Sequence, residues 1–110
     1  MVRTITINGV DYTLKYTLRS LFIFEEIAGR TFDFKKSIDW MLLFYSTLIA
    51  NNKYFGIDFD ELVTICDEHP ELFNEFTQFI TDWTQQEAQK AANQSGASEV
   101  KKKMIRTKKG

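Results

Sequence analysis

The stretch ITINGVDYTLKYTLRSLFIFEEIAGRTFDF, residues 5–34, constrains the fold more than any other part of the chain. Two alternating runs, residues 4–7 and 10–15, flank Asn8-Gly9. That dipeptide best tolerates the positive φ angles of a two-residue type I′ turn, so a β-hairpin is predicted. Thr17 then suits the N-cap of a helix carrying Leu18, Leu21, Phe22, Phe24 and Ile27, and Gly29 supplies the left-handed residue that ends it. Only two or three helical turns fit in that space.

The rest of the chain has to supply most of the core. At 110 residues it forms one domain with one modest core, since a chain of this size buries about two thirds of its unfolded surface. The hydrophobic fraction of 44% is that of a globular protein, and the longest apolar run, residues 40–45, is far below the roughly 18 residues of a membrane span. Strand alternation at the N-terminus, where a secretory signal would place a basic start and an apolar region, points to an intracellular protein. The single Cys66, which has no partner for an internal disulfide, agrees with a reducing compartment.

Three more helices are legible. Over residues 33–52, Ile38, Met41, Leu42, Tyr45, Leu48 and Ile49 fall on one face at helical spacing, which predicts that face as the core side. Trp40, Leu43 and Phe44 lie off that stripe, so the middle of the helix is apolar nearly all round: it is either central in the domain or half-covered by a partner. Asp58 followed by Glu61 has the form of an N-cap with its reciprocal acid, and opens a short helix ending near Glu68. Pro70 suits a first helical position, after which Leu72, Phe73, Phe76, Phe79, Ile80 and Trp83 form an apolar stripe that gives way to polar residues toward Lys90. The expected architecture is therefore α+β but mostly α: an N-terminal β-hairpin and a bundle of about four helices over residues 1–92, followed by a disordered basic C-terminal tail over residues 93–110. Charge is segregated accordingly. From Ser95 onward six basic residues face one acid, +5, and the rest of the chain holds fourteen acids against eight bases, −6.

Enzyme chemistry finds little footing. His69 is the only histidine and sits three residues from Cys66, half of a metal site without its other half, so no catalytic or metal-ligating residue and no cofactor is assigned. As a nucleophile Cys66 would be badly placed, because Asp67 and Glu68 beside it raise its pKa. Asp58 and Asp60 begin like a calcium loop, but no glycine stands at the sixth position and His69 occupies the twelfth. Glu25 and Glu26 are helix neighbours about 100° apart and cannot share a proton; Arg30 is the cation expected to offset acids at that helix end. Scattered glycines make no phosphate loop.

Sixteen aromatic rings in so small a domain leave some over after the core is filled, and exposed apolar surface usually means a protein partner. Phe24, Trp40, Phe44 and Phe55 are the candidate partner-binding residues. The hairpin also leaves strand edges through which copies of the chain could pair.

The hairpin entering a helix that ends FEEIAG, followed by an apolar helix and acid-capped helices, resembles the tail assembly chaperones of long-tailed, siphovirus-like bacteriophages. The resemblance spans roughly residues 3–85 and rests mostly on residues 5–29, with Leu21, Phe24, Glu25, Glu26 and Gly29 its most specific positions. It implies a small helical protein in the cytoplasm of an infected bacterium, not retained in the mature virion, which binds the tape-measure protein and keeps it soluble until the tail tube polymerises round it. It further implies self-association, and a longer product of ribosomal frameshifting whose extra domain recruits the tail tube protein. The lysine-dense KKKMIRTKKG at residues 101–110 is where such a slip would fall. The competing reading is a small phage regulator that binds nucleic acid through the basic tail. Against it stand the acidic body and the absence of an aromatic residue in the tail for base stacking.

Overall fold

The computed structural model describes residues 1–98, with residues 93–98 described only as helix backbone. Of the tail expected over residues 93–110, residues 99–110 lie outside the described residues. Strands β1 (Arg3–Ile7) and β2 (Val10–Leu14) are followed by helices α1 (Leu18–Ala28), α2 (Ser37–Asn51), α3 (Phe59–Glu68) and α4 (Pro70–Ser98). The chain divides into two compact units, Met1–Ile80 and Thr81–Gly110. The candidate site described below lies in the first. In the second, the described residues continue α4.

The hairpin forms for the reason its turn dipeptide suggests. Asn8 and Gly9 adopt φ angles of 52° and 79°, and Ile7 pairs with Val10 around them in an antiparallel ladder that runs to Arg3 and Leu14. Alternation then sends Ile5, Ile7 and Leu14 into the core and leaves Thr4, Thr6 and Thr13 outside. The same alternation decides which backbone groups point away from the ladder: those of Thr4 and Thr6 on β1, and of Asp11 and Thr13 on β2. On β2 the edge is partly covered. The Asn52 side chain accepts the Thr13 N–H (2.9 Å) and donates to the Thr13 carbonyl (2.9 Å), while the Asn51 amide donates to the Lys15 carbonyl (2.7 Å). Among the described residues, the outward groups of Thr4 and Thr6 have no such cover, so the β1 edge is open while the β2 edge is covered in part.

Helix α1 starts on Thr17, whose hydroxyl accepts the Ser20 N–H at 3.1 Å while the Ser20 hydroxyl accepts the Thr17 N–H, and it stops at Gly29 with φ 74°. Only Phe24 and Ser20 of this helix are fully buried; Leu18, Phe22 and Ile27 stand exposed.

Helix α2 is the central element, in contact with α1, β2 and α3. The alternative of a partner-covered helix is not needed to explain its middle, because Leu43 and Phe44 point into the core and the Phe44 ring stacks on Phe76 of α4 at 4.8 Å. This corrects the predicted stripe. The buried face is Asp39, Leu43, Phe44, Ser46, Thr47 and Leu48, whereas Ile38, expected in the core, is 60% exposed and Met41 is half-buried. Polar side chains on the inner face caused the shift. The Ser46 and Thr47 hydroxyls donate to the carbonyls of Leu42 and Leu43 one turn back, at 2.8 and 2.7 Å, so they enter the core without an unmet hydrogen bond.

Candidate functional site

Three short structural devices shape an open groove in the Met1–Ile80 unit. The first holds the start of α2. The Asp39 carboxylate, fully buried in the first helical turn, takes both terminal nitrogens of Arg30 at 2.6 and 2.5 Å and the Asp33 N–H at 2.8 Å. Chiefly through the Arg30 hydrogen bonds, and against the cost of burial, its pKa falls from 3.8 to about 2. Arg30 therefore serves Asp39 and not the acids at the end of α1, as the sequence had suggested. The Trp40 indole N–H adds a bond to the Phe34 carbonyl at 2.8 Å.

The second device is the cap of α3, where Asp58 accepts the Glu61 N–H at 2.8 Å. The third is the corner from α3 to α4. His69 closes α3 by donating its N–H to the Ile65 carbonyl, and α4 begins at once on Pro70, with the Leu72 N–H returning to the His69 carbonyl at 3.0 Å. A one-residue connection leaves no chain to fill the space between the two helices. The exposed His69 lies 3.6 Å from Glu71.

The result is a groove of about 580 Å³. Its α2 wall is Ser37, Ile38 and Met41; α3 contributes Phe59, Val63 and Cys66; the start of α4 contributes Pro70, Phe73 and Asn74. Two carboxylates, Asp60 and Asp67, line the α3 side, and among the described residues no lysine or arginine lines any side. Cys66 is buried in this wall, and its thiol is pushed up to about 11 by burial and then by Asp67, which leaves it in the unreactive protonated form. Among the described residues no three His, Cys, Asp or Glu side chains converge to hold a metal ion, and no helix is long and apolar enough to cross a membrane. The arrangement offers shape, apolar surface and negative charge. It suits the lodging of one face of a helix.

None of the four aromatic residues singled out in the sequence lines this groove. Phe24 and Phe44 are completely buried, so neither presents a surface to a partner: both are core. Trp40 is half-buried against Phe32 in an edge-to-face contact at 5.4 Å, where it pins the loop between α1 and α2. Phe55, also half-buried, packs edge-to-face on Tyr12 at 5.3 Å and lines a second, shallower hollow of about 380 Å³ beside the hairpin. Sequence reasoning names no residue of the groove as a site: the displaced stripe assigns Ile38 and Met41 to the core, and Phe73 falls in the apolar stripe of the last helix. Asp39 carried the available signal: an acid in the first turn of a largely apolar helix, nine residues after an arginine, is a candidate buried pair, and it lies about 100° round the helix from Ile38. No protein-family model matches the chain, and neither a curated protein nor a solved structure matches it.

Proposed function

We propose that this protein is a tail assembly chaperone of a long-tailed bacteriophage, which holds helical segments of the tape-measure protein in solution until the tail tube forms around them. The observation that carries this reading is the groove itself: a largely apolar channel walled by three helices, with Ile38 60% exposed at its lip. A holdase needs a surface that binds one apolar stripe of a client helix and releases it when a better partner arrives, and needs no nucleotide or metal to do so.

The test is co-expression with the tape-measure protein of the same phage. The wild-type chain raises the client's soluble fraction, and Ile38→Asp combined with Met41→Asp abolishes the gain while the far-UV helix signal is kept. A client equally soluble with the double variant would remove the groove from the mechanism.

Self-association forms the second part of the proposal. The open groups of Thr4 and Thr6 lie two residues apart, so an antiparallel second β1 would place Thr4 on Thr6 of its partner and satisfy both strands. Light scattering of Thr4→Pro, which removes one of these N–H donors, checks it: a concentration-dependent mass identical to the wild type would exclude this edge.

A further inference from the structure

The groove is asymmetric in charge, and the asymmetry has a spacing. Asp60 and Asp67 are seven residues apart on α3, two helical turns or about 10.5 Å, with Val63 between them facing the same channel. The α2 and α4 walls, Ser37, Ile38, Met41, Pro70, Phe73 and Asn74, carry no charged side chain among the described residues, so the negative charge lies on the α3 side. A helix that matches this groove has an apolar stripe and, along one flank only, two cations seven residues apart.

The sequence of residues 99–110, EVKKKMIRTKKG, contains that pattern. Placed on a helix, Val100 and Met104 are one turn apart on one stripe, and Lys101 and Lys108, seven residues apart, lie together on one side of it. The charges of the two parts also match: the segment carries six bases and one acid, whereas the chain before Ser95 has six acids in excess.

We infer that the groove binds residues 99–110 of a second copy of this chain as a helix, Val100 and Met104 against Ile38, Met41 and Val63, and Lys101 and Lys108 against Asp60 and Asp67. A groove and a matching segment on the same chain join copies head to tail. The occupied groove is closed to other helices. The inference rests on reading the groove as a helix-binding surface, and it gives that surface a resident occupant which a client must displace.

A fluorescent synthetic peptide of residues 99–110, titrated with the full-length chain and read by anisotropy, tests it. The wild-type chain binds the peptide saturably and more weakly as salt rises. Asp60→Lys with Asp67→Lys weakens binding about tenfold, and a peptide with Lys101→Glu and Lys108→Glu restores it on that variant. Equal binding of the original peptide to both proteins, or failure of the charge-reversed pair to recover, overturns the inference. If the wild-type chain ignores the peptide while a full-length Lys101→Glu, Lys108→Glu chain binds it, the groove is filled from its own chain and the second copy is excluded. Peptide binding with an insoluble tape-measure protein would sink the chaperone reading and leave this inference standing; a solubilised client with no peptide binding would do the reverse.

Discussion

Helix α2 has two sides that solve the same problem in opposite ways. Toward the core, everything is closed: Asp39 is matched by Arg30, the Ser46 and Thr47 hydroxyls are returned to their own helix, and Phe44 stacks on Phe76, deeper along α4 than the groove. Toward α3 and the start of α4, Ile38 and Met41 face an open channel that no segment among the described residues fills. Polar residues are buried on the first side and apolar ones exposed on the second. An apolar surface held open by a rigid neighbour is a binding surface kept ready, because the helix that carries it is already fixed from behind.

The contrast is broken most severely at Phe44. Truncation to Ala removes a fully buried ring from the stack with Phe76 and is expected to cost about 3–5 kcal/mol, read as a large fall in the midpoint of urea unfolding. A loss below about 1 kcal/mol would mean that the closed side is not close-packed.

Asp39→Asn sharpens the comparison through pH. The Asp39 carboxyl is held below its unfolded value, from 3.8 to about 2, so its contribution is complete above the unfolded pKa and is lost as pH falls from about 4 to about 2. Acid unfolding of the wild type should therefore steepen in that window. The Asn variant should be less stable at neutral pH and lack that part of the slope; an unchanged slope would assign the acid sensitivity to other carboxylates.

The smallest expected effect on stability is at the open side. Ile38→Asp alone should shift unfolding by no more than about 0.5 kcal/mol, because the side chain is already 60% exposed, yet it should reduce client solubilisation. A large destabilisation would show that the lip of the groove is part of the core.

Local chemistry made most of the fold legible in the sequence. Asn8-Gly9, the Thr17 and Asp58 caps, Gly29 and Pro70 each state a backbone requirement that only a few residue types meet, and the elements begin and end where those residues stand. The candidate site was not legible in the same way. Whether Ile38 or Phe44 faces inward depends on how Asp39, Ser46 and Thr47 are satisfied: the two hydroxyls by carbonyls of their own helix, and Asp39 only by a partner outside it, Arg30, nine residues away. Hydrophobicity alone ranks Ile38 and Phe44 alike. Aromatic content misdirected the choice as well, since Phe24 and Phe44 fill the core while aliphatic and methionine side chains from α2 line the groove.

The double hydrogen bond from Asn52 to Thr13 has a consequence for how the chain is made. It joins residues 39 positions apart, and a lone two-stranded hairpin is only marginally stable in water. On a ribosome adding about 5–20 residues per second, roughly 2–8 seconds separate the appearance of Thr13 from that of Asn52. Throughout that interval both long edges of the newborn strands are bare. The amide that covers part of one of them arrives last, at the end of the helix on which the rest of the domain is assembled, so the hairpin and α2 become permanent together.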